Sequence, residues 1–350
     1  MISFKIKNVP TLFIKAFYAD DVTCILDFVR RQADMRRDPN NTILFIDTPI
    51  TAKTVDTVEK LTFEGYDVHF KDHHGLEVKA VSDRDKLVEV STKKLQDLLK
   101  EKCTITVRSK HPACSTLVSP GEFKDALAIV ADPDADGLTA AMKAAGIYYE
   151  GLDDDAAKLD SEPREQVKGS ALSQLLAKNL AVLPSYDAQN PHERERTQEL
   201  IFKNWVAAVQ GDSKAESKLQ EGVAKYEQGV AVAQELSKKA KLVAPGTFLV
   251  NVCESPVFDP GTLMILLEED PQCQITVMRK DRGPIAALHG VQYSLAVARV
   301  YRDEVNLQKL VPPDSANNPQ KGIISNVTFL LHVNEEAWYE HVLPGLKARV

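Results

Sequence analysis

The chain predicts an α/β fold: a mostly parallel sheet domain with helices on both faces, a helical linker, and a second, smaller α/β domain. Three observations predict it. Apolar runs alternate with helical patterns through the first 150 residues. The next hundred are rich in Ala, Lys, Glu and Gln, and strand-like runs resume after Ala244-Pro245-Gly246. Strands separated by helix-length segments pair in parallel, because a parallel neighbour needs a long crossover connection. The expected boundaries are 1–150, 151–243 and 244–350, an arrangement that would leave a cleft between the two α/β domains.

Taken in order, Thr11 to Phe17 reads as a buried strand and Asp20 to Arg31 as a helix with acidic residues at its start. Thr42 to Ile46 is the next strand, Val55 to Phe63 has helical spacing, and Tyr66 to Phe70 is again a strand. Leu87 to Leu99 is amphipathic, Thr104 to Arg108 is a short strand, and Ala126 to Ala131 is a buried run before a helix over Leu138 to Ala145. Lys214 to Lys241 sets Leu219, Val223, Tyr226, Val230 and Leu236 among charges, as one long helix would. Thr247 to Val252, Gln274 to Met278, Gly290 to Val300 and Val327 to Val333 read as strands, and Gly261 to Glu268 as a helix. Glu335 to Leu343 reads as a last helix, stopped by Pro344-Gly345.

A length of 350 residues allows two cores, and 44% hydrophobic with 27% charged residues is ordinary for a globular protein. The net charge of −7 argues against a broad basic surface for long duplex DNA, since such binding draws on many Lys and Arg contacts to phosphates. Cys24, Cys103, Cys114, Cys253 and Cys273 are widely spaced with no Cys-x-x-Cys pair. They read as reduced thiols of a cytoplasmic protein, not a disulfide framework or a zinc cage. Met1 to Lys7 lacks the apolar core of a signal peptide, and no apolar run has the length of a membrane helix, so no membrane partner is expected.

The chemistry gathers at strand ends of the first domain. Ile43-Leu44-Phe45-Ile46 runs into Asp47, the strand at Phe70 runs into Lys71-Asp72-His73-His74-Gly75, and Ile129-Val130-Ala131 runs into Asp132-Pro133-Asp134-Ala135-Asp136-Gly137. In an open parallel sheet ligands bind at the carboxyl ends of strands, so these groups can converge although they are far apart in the chain. Carboxylates and imidazoles are the donors that divalent cations prefer. Each segment alone has a plainer reading: a solvated acidic turn, two surface histidines, a cap on the turn to Thr48-Pro49. Three such strand ends in one domain point instead to a metal centre. Paired ions there would clamp the oxygens of a phosphoryl displacement, with Asp47 between them.

The triplet Asp72-His73-His74, the lone acid Asp47 before it, and the segment Ile129 to Thr139 together resemble the DHH phosphoesterase superfamily, the acidic segment in its RecJ-like form. His111-Pro112-Ala113-Cys114-Ser115-Thr116 is similar to the Ser-Thr segment that often follows the triplet in that family. The resemblance implies two Mn²⁺ ions, with Mg²⁺ as a substitute. It implies Asp47, His73, Asp132, Asp134 and Asp136 as metal ligands, Asp72 as the partner orienting the neighbouring histidine, and His74 as a donor to phosphate. Ser115 and Thr116 would lie on the substrate side. The motif order departs from the family, where the Asp-x-Asp-Gly motif comes first. Two accounts are open. The acidic motif has been permuted to the end of the domain, or Asp132 is the family's later lone acid and Tyr18 to Thr23 is a degraded first motif, which gives Asp20 weight as a ligand.

The family's C-terminal domain binds the nucleotide chain. Tyr293 to Arg299 loosely resembles its Ser-and-Arg strand, with Arg299 or Arg302 as a phosphate contact. The family's Gly-Gly-His element is absent. Asn317 to Asn326 stands in its place, with Lys321 and Asn326 as phosphate contacts. The implied function is a Mn²⁺-dependent phosphodiesterase or exonuclease acting on short or single-stranded nucleic acid. The alternatives are a small-nucleotide phosphoesterase, for a cyclic dinucleotide or a phosphoadenosine phosphate, and a catalytically inactive relative. A homodimer is compatible with either.

Overall fold

A computed structural model describes residues 1–14, 22–35, 40–48, 50, 52–73, 93–108, 111–161, 163–183, 192–255, 257–281, 290–311 and 329–349. Of the sequence-predicted site residues, Asp20, His74, Lys321 and Asn326 lie outside them. The chain divides into two compact units, 1–177 with 198–219, and 178–197 with 220–350. The helices Glu193–Val209 and Ser213–Ser237 each run from one unit into the other, so the helical stretch 151–243 is shared between them.

The first unit is built on a six-stranded sheet. Strands β1 (Ile2–Ile6) and β2 (Val9–Phe13) form a hairpin that the sequence pattern did not predict, turning through Lys7 at φ 52°. β3 (Thr42–Ile46), β4 (Asp67–Asp72), β5 (Thr104–Val107) and β6 (Ala128–Ala131) complete it in the order β1-β2-β6-β3-β4-β5. From β2 to β5 every pairing is parallel. Last in the chain, β6 is an inner strand between β2 and β3.

Both faces of this sheet are covered, which explains the unbroken apolar runs of β3 and β6. Leu12, Ile43, Phe45 and Val130 pack against helices α1 (Val22–Met35) and α2 (Ala52–Phe63) through Val29 and Val58. Phe13 points the other way and meets Phe202 edge to face, at 5.1 Å. Trp205, fully buried on the same helix as Phe202, donates its indole N–H to the Leu172 carbonyl at 2.8 Å. A period of two thus feeds two helical layers from each strand.

The second unit carries a five-stranded mixed sheet. It holds β7 (Lys241–Ala244), β8 (Thr247–Asn251), β9 (Ile275–Asp281), β10 (Val291–Val297) and β11 (Leu330–Asn334) in the order β11-β10-β9-β8-β7. Only β8 and β9 pair in parallel, across the helix Pro260–Glu268. β10 ends at Val297, short of the predicted Val300, and Arg299–Tyr301 forms a 3-10 turn. Tyr293 stacks on Trp338 with centroids 4.5 Å apart and rings 3° from parallel. Pro344-Gly345, predicted to stop the last helix, lies inside the helical segment Leu343–Lys347, because proline is tolerated in a helix's first turn. Among the described residues no helix is long and apolar enough to cross a membrane.

Candidate metal centre

Three of the parallel strands deliver side chains to one point. Asp47 follows β3 directly, and its backbone N–H extends the ladder to the Lys71 carbonyl at 3.1 Å. It then takes the left-handed conformation, φ 54°, which acidic and amide side chains tolerate better than most, and buries its carboxylate to 1% exposure. Asp72 closes β4, fully buried, with its carbonyl accepting from the Arg108 N–H at 3.0 Å. His73 comes next. Its Nδ1 lies 3.0 Å from the His111 carbonyl, which fixes a proton on that nitrogen and turns Nε2 toward the acids. Nε2 stands 3.4 Å from Asp47 Oδ1, 3.2 Å from Asp136 Oδ2 and 3.8 Å from Asp160 Oδ2.

The acidic turn after β6 is organised by the helix it starts, Ala135–Ala144. Asp134 caps that helix, its Oδ1 accepting from the Gly137 N–H at 2.8 Å. A Cβ at position 137 would lie 2.3 Å from the Asp132 carbonyl oxygen, so only glycine lets the turn close this tightly. Asp136, in the first helical turn and 1% exposed, points back into the sheet edge. Its two oxygens accept from the Cys114 N–H at 3.1 and 2.8 Å.

Cys114 opens the 3-10 turn Cys114–Leu117 and is fully buried. Its Sγ donates to Asp47 Oδ1 at 3.5 Å. The turn is braced from behind by Lys143, whose ammonium meets both Asp153 oxygens, at 2.8 and 2.7 Å, and the Ser115 carbonyl at 3.0 Å. The outcome is a cluster of Asp47, His73, Cys114 and Asp136, each offering one donor atom, all within 4.8 Å of one another. Among the described residues it is the one such group.

The protonation energetics show how much negative charge is held here. Burial pushes the Asp47 carboxyl well up, the Asp134 charge adds to it, and the His73 hydrogen bond opposes. Burial also lifts Asp136, with Asp134 and Asp160 beside it, to about 7. Burial works against the His73 imidazolium, but the Asp47 hydrogen bond and the Asp136 charge outweigh it and hold its pKa at about 9. The Cys114 thiol is pushed well up by burial and then by the neighbouring Asp47 and Asp136 charges. Two buried carboxylates, an imidazole and a thiol around one point suit a divalent cation, whose charge would take the place of those retained protons.

The remaining sequence-predicted residues fall as follows. Asp72 adjoins the cluster, close enough for its charge to raise Asp47 and Cys114. Asp134 acts on the cluster through its charge while capping its helix, and Asp132 lies half-buried at the start of the turn. The Ser115 hydroxyl donates to Asp153 at 2.9 Å, and the Thr116 hydroxyl donates to the Ala113 carbonyl at 2.6 Å and faces His111 Nδ1 at 2.8 Å. Both hydroxyls therefore serve the turn. Arg299 belongs to the second unit, exposed in its 3-10 turn. Neither Cys114 nor Asp160 is among the site residues that the sequence pattern singles out. Cys114's place inside the His111 to Thr116 segment is the one signal that pointed to it.

No protein-family model matches the chain. No curated protein matches it either. Among solved structures it is similar to the pGpG-specific phosphodiesterase PggH from Vibrio cholerae, at 14% identity and a TM-score of 0.37, over 85% of this chain and 94% of that chain. So distant a likeness bears on none of the chemistry, which stands on the side chains themselves.

Proposed function

We propose that this chain is a metal-dependent phosphodiesterase of the DHH type that hydrolyses a small nucleotide. The observation that carries this reading is the convergence of Asp47, His73 and Asp136 with 3.2 and 3.4 Å between donor atoms, from strand ends scattered through the chain. The motif triplet alone would not require it. The inner position of β6 brings the acidic turn to the centre of the edge although it comes last in the domain, which fits either account of the motif order.

A bound divalent cation would polarise a phosphoryl oxygen and lower the pKa of water. The chain's own part is to hold the ion with Asp47, His73 and Asp136, and to keep His73 in one tautomer through the His111 carbonyl. Asp72 and Asp134 supply buried or nearby charge behind these ligands. Asp160, with 37% of its side chain exposed, is an accessible carboxylate at the edge of the cluster, and it would take the proton of the attacking water. His74, Arg299, Lys321 and Asn326 remain the proposed phosphate contacts.

A small nucleotide is favoured over a longer strand by charge. Asp154 and Asp160, in the first turn and at the end of the helix Leu152–Leu159, are exposed carboxylates, and the chain carries a net charge of −7. A polynucleotide would need many cationic partners along its backbone, whereas one or two phosphates need the cation and a few contacts. The test offers the Mn²⁺- or Mg²⁺-loaded chain a linear dinucleotide, a cyclic dinucleotide, a phosphoadenosine phosphate, a longer single strand and pyrophosphate. Nucleotide-sized substrates should be cleaved faster than the long strand, and Asp136→Asn should abolish cleavage. Turnover of none of them by protein with metal bound overturns the proposal.

A further inference from the structure

The resemblance to DHH enzymes leads to Mn²⁺, but the donor set of this chain is not all oxygen and nitrogen. We propose that Cys114 supplies a sulfur donor to the cation held by Asp47, His73 and Asp136, and so biases the site toward zinc, iron or cobalt over magnesium and calcium. The inference rests on the metal-site reading above and adds a fourth ligand to it.

Tetrahedral bonds of about 2.0–2.3 Å, the range for nitrogen, oxygen and sulfur on zinc, require donor atoms about 3.3–3.8 Å apart. The separations are 3.2 Å from His73 Nε2 to Asp136 Oδ2, 3.4 Å from His73 Nε2 to Asp47 Oδ1, and 3.5 Å from Cys114 Sγ to Asp47 Oδ1. These are close to the edges of such a tetrahedron, and the remaining pairs of the four lie within 4.8 Å. The sulfur is also held in place. Its own backbone N–H binds both Asp136 oxygens, so thiol and carboxylate are positioned by one residue. Lys143 and Asp153 fix the next residue through the Ser115 carbonyl and hydroxyl. Cys114 is fully buried, so in this conformation no bulk water crowds the sulfur's place beside Asp47.

Sulfur is the soft donor of the set. Magnesium and calcium select all-oxygen shells, while zinc, iron and cobalt accept thiolate with imidazole and carboxylate. On binding, the S–H bond breaks, its proton passes to bulk water, and the sulfur lone pair bonds the cation. The competing reading is a neutral thiol whose only task is to donate to Asp47.

Cobalt titration of the full chain separates the two. Sulfur ligation produces a sulfur-to-cobalt charge-transfer band in the near ultraviolet; Cys114→Ser should lose the band and lower the preference for zinc over magnesium by ~10-fold or more. Cobalt bound without that band, or a band unchanged in Cys114→Ser, overturns the sulfur ligand while leaving the site. No cobalt bound at all overturns the metal-site reading together with it. Should Cys114→Ser fail to fold, zinc X-ray absorption of the loaded wild-type chain decides. A sulfur scatterer at about 2.3 Å supports the proposal, and a shell of only nitrogen and oxygen overturns it.

Discussion

The two sheets of this protein spend their topology differently. In the first unit, β2, β6, β3, β4 and β5 run parallel, so all of them release the chain at one edge. That edge collects the buried Asp47, Asp72 and Asp136. In the second unit, three of the four pairings are antiparallel and carboxyl ends alternate between the sheet's two edges. The buried polar groups of its strands are uncharged: Thr247, Thr276, Gln292 and Ser294. Its core centres on the Tyr293–Trp338 stack. Parallel topology therefore concentrates like charge that only a cation or retained protons can relieve, while the mixed sheet is stabilised by apolar contact. The first unit should respond to metal and pH, and the second should not.

The largest effect that would sharpen this contrast is catalytic. Asp136→Ala should lower phosphodiesterase activity at least ~1000-fold, about 4 kcal/mol in the barrier, with an unchanged far-ultraviolet spectrum. Retained activity would show that the convergent carboxylates are not the reacting site. Next comes Trp338→Ala, which should cost about 3–5 kcal/mol in denaturant unfolding while leaving metal affinity by calorimetry unchanged. A change in metal affinity would mean that the second unit shares the first unit's sensitivity.

Gly137→Ala follows. The added Cβ must displace the Asp132 carbonyl, and a destabilisation of about 2–3 kcal/mol is expected, together with weaker metal binding because Asp136 sits on the same turn. The wild-type stability would break the link between that turn and the site. The pH effect is graded, with a slope of at most about 1.4 kcal/mol per pH unit for each proton. The pKa values of Asp136 and His73 are both raised by folding, from 3.8 to about 7 and from 6.5 to about 9. Their stabilisation is therefore complete below the unfolded values and is lost as pH rises through the folded ones. The melting temperature of metal-free protein should fall across that window, and a saturating cation should remove the fall; a flat metal-free profile would deny the stored charge. The smallest effect has the opposite sign. Asp47→Asn, which keeps the left-handed turn tolerable, should stabilise the metal-free protein by about 1 kcal/mol while abolishing metal binding.

Much of the fold was legible because local pattern and tertiary need agreed. The apolar run Thr42 to Ile46 became β3 with the predicted bounds, and Lys214 to Lys241 became the helix Ser213–Ser237. The hairpin of β1 with β2 was not legible, since Ile2 to Ile6 is short and Lys7-Asn8 lacks the Gly that marks tight turns. In the site, Asp47, His73 and Asp136 could be singled out as residues, but their meeting could not. Cys114 read as an ordinary reduced thiol, because its place depends on a backbone hydrogen bond to Asp136 and on the Lys143–Asp153 brace.

The sequence by itself determined the α/β class and the acids and histidines that end its strands, because period-two burial and strand-terminal polarity are local properties. Only the tertiary structure decided which of those groups share one point. Parallel pairing sets β6 between β2 and β3, and strand order in a sheet is chosen by packing, not by position in the chain. That choice puts Asp136 beside Asp47 and His73 and brings in Cys114, which no pattern in the chain had placed there.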